Sequence, residues 1–182
     1  MNLPTIDYNL KYMQTKIDYI QNINFSDFHP MRSGAIVYTF IKGKIYFIFG
    51  VDANSKNITD FAGGVAIKTE DSITGGLREF CEESLGIFGL ITTEEIKKCL
   101  AIYDSNNLIM LVPLKLDLEK KYQEFLKRVN RLKNPEVIDL YICDKRQLIN
   151  LVASKGSEHI MYDRIRTLMK SAHDNHNFLR AL

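Results

Sequence analysis

The chain has 182 residues, of which 46% are hydrophobic and 25% charged, and a formal net charge of +2. That balance suits one globular domain with a sizeable core and argues against a second independent one. No stretch approaches the roughly 18 apolar residues of a membrane span, and Met1 to Asp7 lack the basic-then-apolar pattern of an export signal, so no membrane partner is expected.

Leu10, Met13, Ile17 and Ile20 fall at helical spacing and predict a short amphipathic helix over residues 10–23. Residues 1–28 therefore read as a helical flank packed on a domain formed by 29–182. Two β-branched and aromatic runs, Gly34 to Ile41 and Lys44 to Gly50, are joined by Lys42-Gly43 and predict a β-hairpin. After a polar loop over 52–57, a short strand leads to Gly63-Gly64 and then to a helix that Asp71 or Ser72 can cap. Gly75 and Gly76 inside that helix cost about 1 kcal/mol each relative to Ala, which fits a helix lying close against a sheet. Leu100 to Tyr103 and Leu108 to Val112 flank Asp104-Ser105-Asn106-Asn107, a second hairpin signal. Residues 118–132 are in helical phase, Val137 to Cys143 read as a strand, and two further helical stretches fall near 145–153 and 158–172. Periodicity alone supports mixed α and β.

The chemistry is concentrated in the first of these helices. Glu79, Glu82 and Glu83 stand at i, i+3 and i+4 and share one helix face, where like charges repel. Arg78 is the one cation at hand, so the cluster calls for something doubly positive in front of it, and a hard cation held by oxygen is the natural candidate. The three cysteines, Cys81, Cys99 and Cys143, are odd in number and far apart, and read as reduced thiols. His29, His159, His173 and His176 show no metal-ligand spacing and read as surface residues, while Tyr38, Phe40, Tyr46, Phe47, Phe49 and Phe61 are mainly core, with room for one or two base-stacking rings.

The same run resembles the Nudix box, in which a Gly is followed after five residues by Glu, and after seven more by Arg-Glu, an apolar residue, any residue and Glu-Glu. Gly64, Glu70, Arg78, Glu79, Phe80, Glu82 and Glu83 occupy those positions. Two departures stand out: Ser84-Leu85 put one extra residue before Gly86-Ile87, and Ala62 stands where the family most often has Pro. The extra residue follows the last carboxylate, so it concerns the helix C-terminus and not the ligand spacing.

The resemblance implies an α/β/α sandwich with a mixed central sheet. It also implies hydrolysis of a diphosphate linkage in a nucleoside diphosphate joined to another group. Glu79, Glu82, Glu83 and the Gly63 carbonyl then hold Mg²⁺, with Mn²⁺ as a substitute, and Glu70 and Arg78 form a supporting ion pair. The general base is open between Glu79 and Glu136, the latter following Asn134-Pro135 at the start of a strand, with Glu83 also among the catalytic candidates and Glu158 and Asp163 weaker ones.

Substrate choice is not written in the box. Residues 1–114 carry 10 Lys and Arg against 13 Asp and Glu, a balance of −3; residues 115–182 carry 14 against 9, a balance of +5. A basic region beside an acidic metal site suits a long polyanion, with Lys127, Arg128 and Arg131 as its track. The run from Leu77 to Ser84 is similar to the box of decapping-type Nudix enzymes, including those of large DNA viruses. Capped RNA is thus the leading expected substrate, ahead of small nucleotides, dinucleoside polyphosphates or diphosphoinositol polyphosphates, and ahead of a non-catalytic nucleotide-binding module. No DNA-specific contact is expected, and the expected compartment is the cytoplasm, the host's for a viral source, or the nucleus.

Overall fold

The computed structural model of the protein describes residues 14–153 and 160–182. Its strands are β1 (Lys16–Tyr19), β2 (Arg32–Ile41), β3 (Lys44–Asp52), β4 (Ile58–Thr59), β5 (Phe61–Gly64), β6 (Leu100–Tyr103), β7 (Asn107–Pro113) and β8 (Val137–Asp144). Its helices are α1 (Ser72–Glu83), α2 (Thr93–Ile96), α3 (Leu118–Val129), α4 (Lys145–Ala153) and α5 (Asp163–His176).

All the strands join one mixed sheet centred on β2. One edge of β2 runs parallel to β7, from Arg32 opposite Asn107 to Tyr38 opposite Pro113. Its other edge changes partner along its length, taking β5 antiparallel over Arg32–Ala35 and β3 antiparallel over Val37–Ile41. β8 and β4 pair with β3, β6 pairs with β7, and β1 lies outside β6.

Alternation on the strands divides the core between two faces. Ala35, Val37, Ile48, Met110 and Val112 pack against Phe80 of α1, Ile96 of α2 and Phe125 of α3. Ile36, Phe47, Phe49, Ile109 and Leu111 pack against Leu148 and Leu151 of α4 and Ile165, Leu168 and Met169 of α5. Helices therefore cover both faces, and the central strands read as unbroken apolar runs because both of their sides are buried.

The expected helix over 10–23 is replaced, within the described residues, by β1 and a 3₁₀ turn at Ile20–Asn22; Leu10 and Met13 lie outside them. The pull is tertiary: Lys16–Tyr19 pair with Tyr103–Leu100, and the Ile20 and Gln21 amides donate to the Cys99 and Lys97 carbonyls at 2.9 and 3.0 Å. A strand in the common sheet, not a helical flank, is what residues 16–19 contribute. Elsewhere boundaries shift: α3 ends at Val129 and not at residue 132, and α5 runs from Asp163 to His176.

Helix α1 approaches the sheet closely because Gly76 lets it. A Cβ there would stand 2.3 Å from Ser33 Oγ and 2.7 Å from Met110 Cε. That contact sets the height of the α1 carboxylates above β2 and β5.

Candidate metal and phosphate site

Asp71 caps α1, accepting the Ile73 and Thr74 amides at 2.9 and 2.8 Å. The helix ends at Glu83, and the extra residue is absorbed just beyond it, with Leu85 and Gly86 at φ of 56° and 66° and their amides returned to Glu82 and Cys81. Glu79, Glu82 and Glu83 thus keep helical spacing in the last turn, facing the end of β5.

These carboxylates line a cleft of about 520 Å³ together with Gly63, Asn134 and Glu136. The fold therefore brings Glu136, 53 residues beyond Glu83, to the same space as the box carboxylates. A second hollow of about 530 Å³, lined by Phe25, His29, Val65 and Ile67, is mainly apolar and contains none of those four glutamates.

Each carboxylate is stabilised differently. Arg78 spreads its guanidinium over Glu70 (2.9 and 3.2 Å), the Gly64 carbonyl (3.0 Å), Glu79 (2.7 Å) and Glu82 (3.3 Å). Its hydrogen bonds, with one from the Ala66 amide, hold the Glu70 carboxyl well below the usual range, at about 2, and Glu70 and Glu79 raise the Arg78 pKa in turn. Glu83 has no such partner: its Oε2 accepts the Ala62 amide at 2.8 Å, and burial, reinforced by the neighbouring Asp60 and Glu79 charges, pushes its carboxyl up to about 8.

Behind Glu83 lies a pair that sequence reading did not single out. Asp60 is wholly buried and takes both arms of Arg32, at 2.6 and 2.9 Å, while Arg32 also donates to the Ala62 carbonyl at 3.1 Å. The desolvation that burial imposes on Arg32 is outweighed by the Asp60 charge and hydrogen bonds, so the guanidinium stays firmly charged. The available signal was a lone acid between Ile58 and Phe61 in an apolar strand, a position that demands a cation. Two other residues missed by the sequence reading, Tyr162 and Arg164, border a smaller pocket that adjoins the cleft.

The donor set is all oxygen, which fits a hard cation. The tight space at Gly63 fits too: a Cβ there would meet the Glu79 carboxylate at 2.2 Å, so only Gly lets that side chain reach the backbone. Among the described residues, however, no three acidic, His or Cys side chains already surround a point that could hold a metal. Arg78 holds Glu79 and Glu82, and the Ala62 amide holds Glu83; turning Glu79 and Glu82 away from Arg78 would free them as ligands.

Other candidates fall away from the cleft. Asp163 pairs with Arg166 at 2.9 Å, His176 contacts the Thr15 carbonyl at 2.9 Å, and His173 packs edge-on to Phe178. Glu158 and His159 lie outside the described residues. Cys99 and Cys143 are buried thiols with pKa pushed up to about 11 and about 12 by burial, and no disulfide forms among the described residues. Phe47, Phe49 and Phe61 are core, whereas Phe40 is exposed. No helix among the described residues is long and apolar enough to cross a membrane.

No protein-family model and no curated protein matches the chain. Among solved structures, a binary complex of the C. elegans Ap4A hydrolase is 17% identical, with a TM-score of 0.50 over 83% of this chain and 98% of that one. The fold is a Nudix fold. The same C. elegans enzyme in another crystal structure matches at 17% identity and a TM-score of 0.47, covering 80% of this chain and 97% of that one. The Nudix domain of Shewanella oneidensis NrtR, solved with ADP ribose, matches at 9% identity and a TM-score of 0.47, covering 86% and 95%. Set on the Nudix fold, the cleft lies between the C-terminal turn of α1, the end of β5 and the loop before β8.

Proposed function

We propose that the chain is a divalent-metal-dependent hydrolase that cleaves a diphosphate linkage in a nucleoside diphosphate joined to another group. The observation that carries this reading is the meeting of Glu79, Glu82, Glu83, Gly63 and Glu136 at one cleft of a Nudix fold. A diphosphate repels an anionic nucleophile, and bound Mg²⁺ or Mn²⁺ supplies charge neutralisation and a more acidic water. The protein's own part is to present the oxygen ligands and to accept a proton. Glu79, Glu82 and Glu83 with the Gly63 carbonyl are the ligand set. Glu79 and Glu136 both line the cleft, and Glu136, exposed and without an ion-pair partner among the described residues, is the base that this reading favours.

For substrate, the reading extends to capped RNA, on the support of a basic strip beside the cleft. Arg131 and Lys133 are exposed beside Leu132 and Asn134, which line it, and Lys127 is exposed in the last turn of α3. Arg128 drops out of the expected track, because its guanidinium is bound to the Leu85 carbonyl and Glu124. A small dinucleoside polyphosphate is the second reading, favoured by the likeness to an Ap4A hydrolase. Purified protein with Mg²⁺ or Mn²⁺, assayed against capped RNA, cap dinucleotide, dinucleoside tetraphosphate and a nucleotide-sugar panel, tests both. Turnover that chelator abolishes supports the hydrolase. Metal-replete protein that binds nucleotide and turns over nothing would reduce it to a binding module.

A further inference from the structure

β2, β3 and β8 all reach from the cleft to the opposite end of the sheet, which is formed by Ile41, Lys44 and Asp144. At roughly 3.3 Å per residue, Phe40 stands about 26 Å along β2 from Arg32, so a ligand there is not in the cleft. Tyr38, Ile45 and Phe47 lie on the face that α4 and α5 cover, and by alternation Phe40 continues that face beyond Tyr38, where the cover ends. Its ring stands at right angles to that of Tyr38, with centroids 5.9 Å apart, and is left 57% exposed. Beside it opens a groove of about 410 Å³, lined by the apolar Ile45, Leu179 and Leu182 and by the cationic Lys44, Lys145 and Arg146. That volume is within the roughly 300–1,000 Å³ of a ligand site.

The charge at this end is one-sided, although the formal net charge of the whole chain is only +2. Lys42 and Gly43, at φ of 49° and 75°, make the tight turn that sets Lys42 and Lys44 at the hairpin tip. Lys145 and Arg146 open α4, where the helix macrodipole favours anions over cations. Asp144 and Gln147 cap that helix reciprocally, each side chain accepting the other's amide at 2.8 Å, so the nearest carboxylate is engaged with the backbone. Lys145 donates to the Leu179 carbonyl at 2.8 Å, a neutral partner. Among the described residues, no carboxylate lies within ion-pair distance of Lys42, Lys44, Lys145, Arg146 or Arg180. Counting a terminal carboxylate on Leu182 with Asp144, these five cations meet two anions and leave a surplus of three.

Cations grouped around an exposed aromatic ring fit a chain that alternates flat bases with phosphates. A membrane surface calls for several apolar anchors, and of the exposed large apolar side chains Phe40 is the single one lining this groove among the described residues. An acidic peptide would engage the cations and leave the ring idle. We propose that this end of the sheet is a second binding surface, for single-stranded nucleic acid, in which a base stacks on Phe40 while Lys44 and Arg146 hold the flanking phosphates. Such binding goes beyond the hydrolase reading and does not depend on it, because the strand needs neither a cap nor a diphosphate linkage. Contacts to phosphate and to the face of a base carry no base-edge readout, so the surface is tolerant of sequence.

The test is fluorescence anisotropy of labelled, uncapped oligothymidylate and oligouridylate of about ten nucleotides, in chelator, at about 50 to 200 mM salt. Lys44→Ala with Arg146→Ala should weaken binding at least tenfold at low salt and flatten the plot of log affinity against log salt by about 1.4, the value for two single-strand phosphate contacts. Phe40→Ala should weaken binding about tenfold, leave that slope unchanged and have no effect on a duplex, whose bases are already stacked; Phe40→Tyr should bind like the parent. All three side chains are exposed, so the Tm of these variants should not move. Neutralising Lys127, Arg131 and Lys133 beside the cleft should leave this binding within twofold. The proposal is overturned by a parent that binds no strand at about 50 mM salt, by a Phe40→Ala protein that binds like the parent, by binding that needs the cleft strip in place of Lys44 and Arg146, or by an oligoglutamate of equal charge that displaces the strand at equal concentration. A chain that binds the strand through Phe40 and, supplied with Mg²⁺, turns over no substrate keeps this surface and sinks the hydrolase reading instead.

Discussion

Glu83→Gln separates the stability of the site from its chemistry. In the folded protein burial, together with Asp60 and Glu79, raises the Glu83 carboxyl from 4.5 to about 8. The native state therefore holds a proton on Glu83 across a window where the unfolded chain has lost it. Stability from this group is complete below pH 4.5 and declines as pH rises to about 8, beyond which it is fully lost. At about 1.4 kcal/mol per pH unit the full span is on the order of 5 kcal/mol, of which relaxation and entering water leave about 2–3 kcal/mol as a working figure. Gln retains an oxygen for the Ala62 amide at 2.8 Å and never ionises. In chelator at pH 8, Glu83→Gln should thus melt higher than the parent, by roughly 4–12 °C at about 2–4 °C per kcal/mol, and the difference should shrink toward pH 5. Mg²⁺ should raise the parent's Tm and leave the variant's nearly unchanged, and turnover should fall at least 10²-fold. The assay is thermal unfolding from pH 5 to 8.5 with and without Mg²⁺, beside turnover at pH 8. A variant that is less stable than the parent in chelator at pH 8, with a parallel pH profile, refutes the buried-carboxyl argument.

Arg78→Ala should lower Tm and activity together, because it releases Glu70 and the Gly64 carbonyl as well as Glu79 and Glu82; lost activity at an unchanged Tm would point to a direct substrate role. Gly76→Ala gains about 1 kcal/mol in helix propensity but places a methyl 2.3 Å from Ser33 Oγ. Overpacking of about 1–3 kcal/mol should win, lowering the denaturation midpoint, and Ser33→Gly should recover part of the loss. Neutralising Lys127, Arg131 and Lys133 together should weaken cleavage of capped RNA, flatten its fall between about 50 and 200 mM salt, and spare a cap dinucleotide. Equal loss on both substrates would place those residues in folding and not in RNA guidance.

The box helix and both hairpins were legible in the sequence because their information is local. Asp71 caps α1 through amides two and three residues away, and helical spacing alone puts Glu79, Glu82 and Glu83 on one face. What was not legible depends on pairing across the sheet. Ile17 and Ile20 satisfy a helical period as well as an edge strand, and only the free edge of β6 decides between them. Arg32 finds Asp60 because β2 takes β5 in the register that sets Arg32 opposite Gly64. Glu136 reaches the cleft because β8 pairs with β3, and Tyr162 and Arg164 reach the adjoining pocket beside a bridge to a two-residue strand. None of these registers has a sequence period of its own.

Five acidic residues crowd the end of β5, and the ways they are satisfied differ enough to rank them. Asp60, wholly buried, has the Arg32 fork to itself, an arrangement whose removal on one side leaves a charge stranded. Glu70, Glu79 and Glu82 share Arg78, itself 37% exposed, and exposed pairs of this kind are worth about 0–1 kcal/mol each. Releasing Glu79 and Glu82 from Arg78, as the proposed ligand set requires, would therefore cost little, while Glu70 would still hold Arg78 against the Gly64 carbonyl. Glu83 alone has no cation in direct contact, and burial raises its carboxyl to about 8. If Glu83 is a metal ligand as proposed, binding releases its proton, and Mg²⁺ affinity should climb as pH rises through about 8.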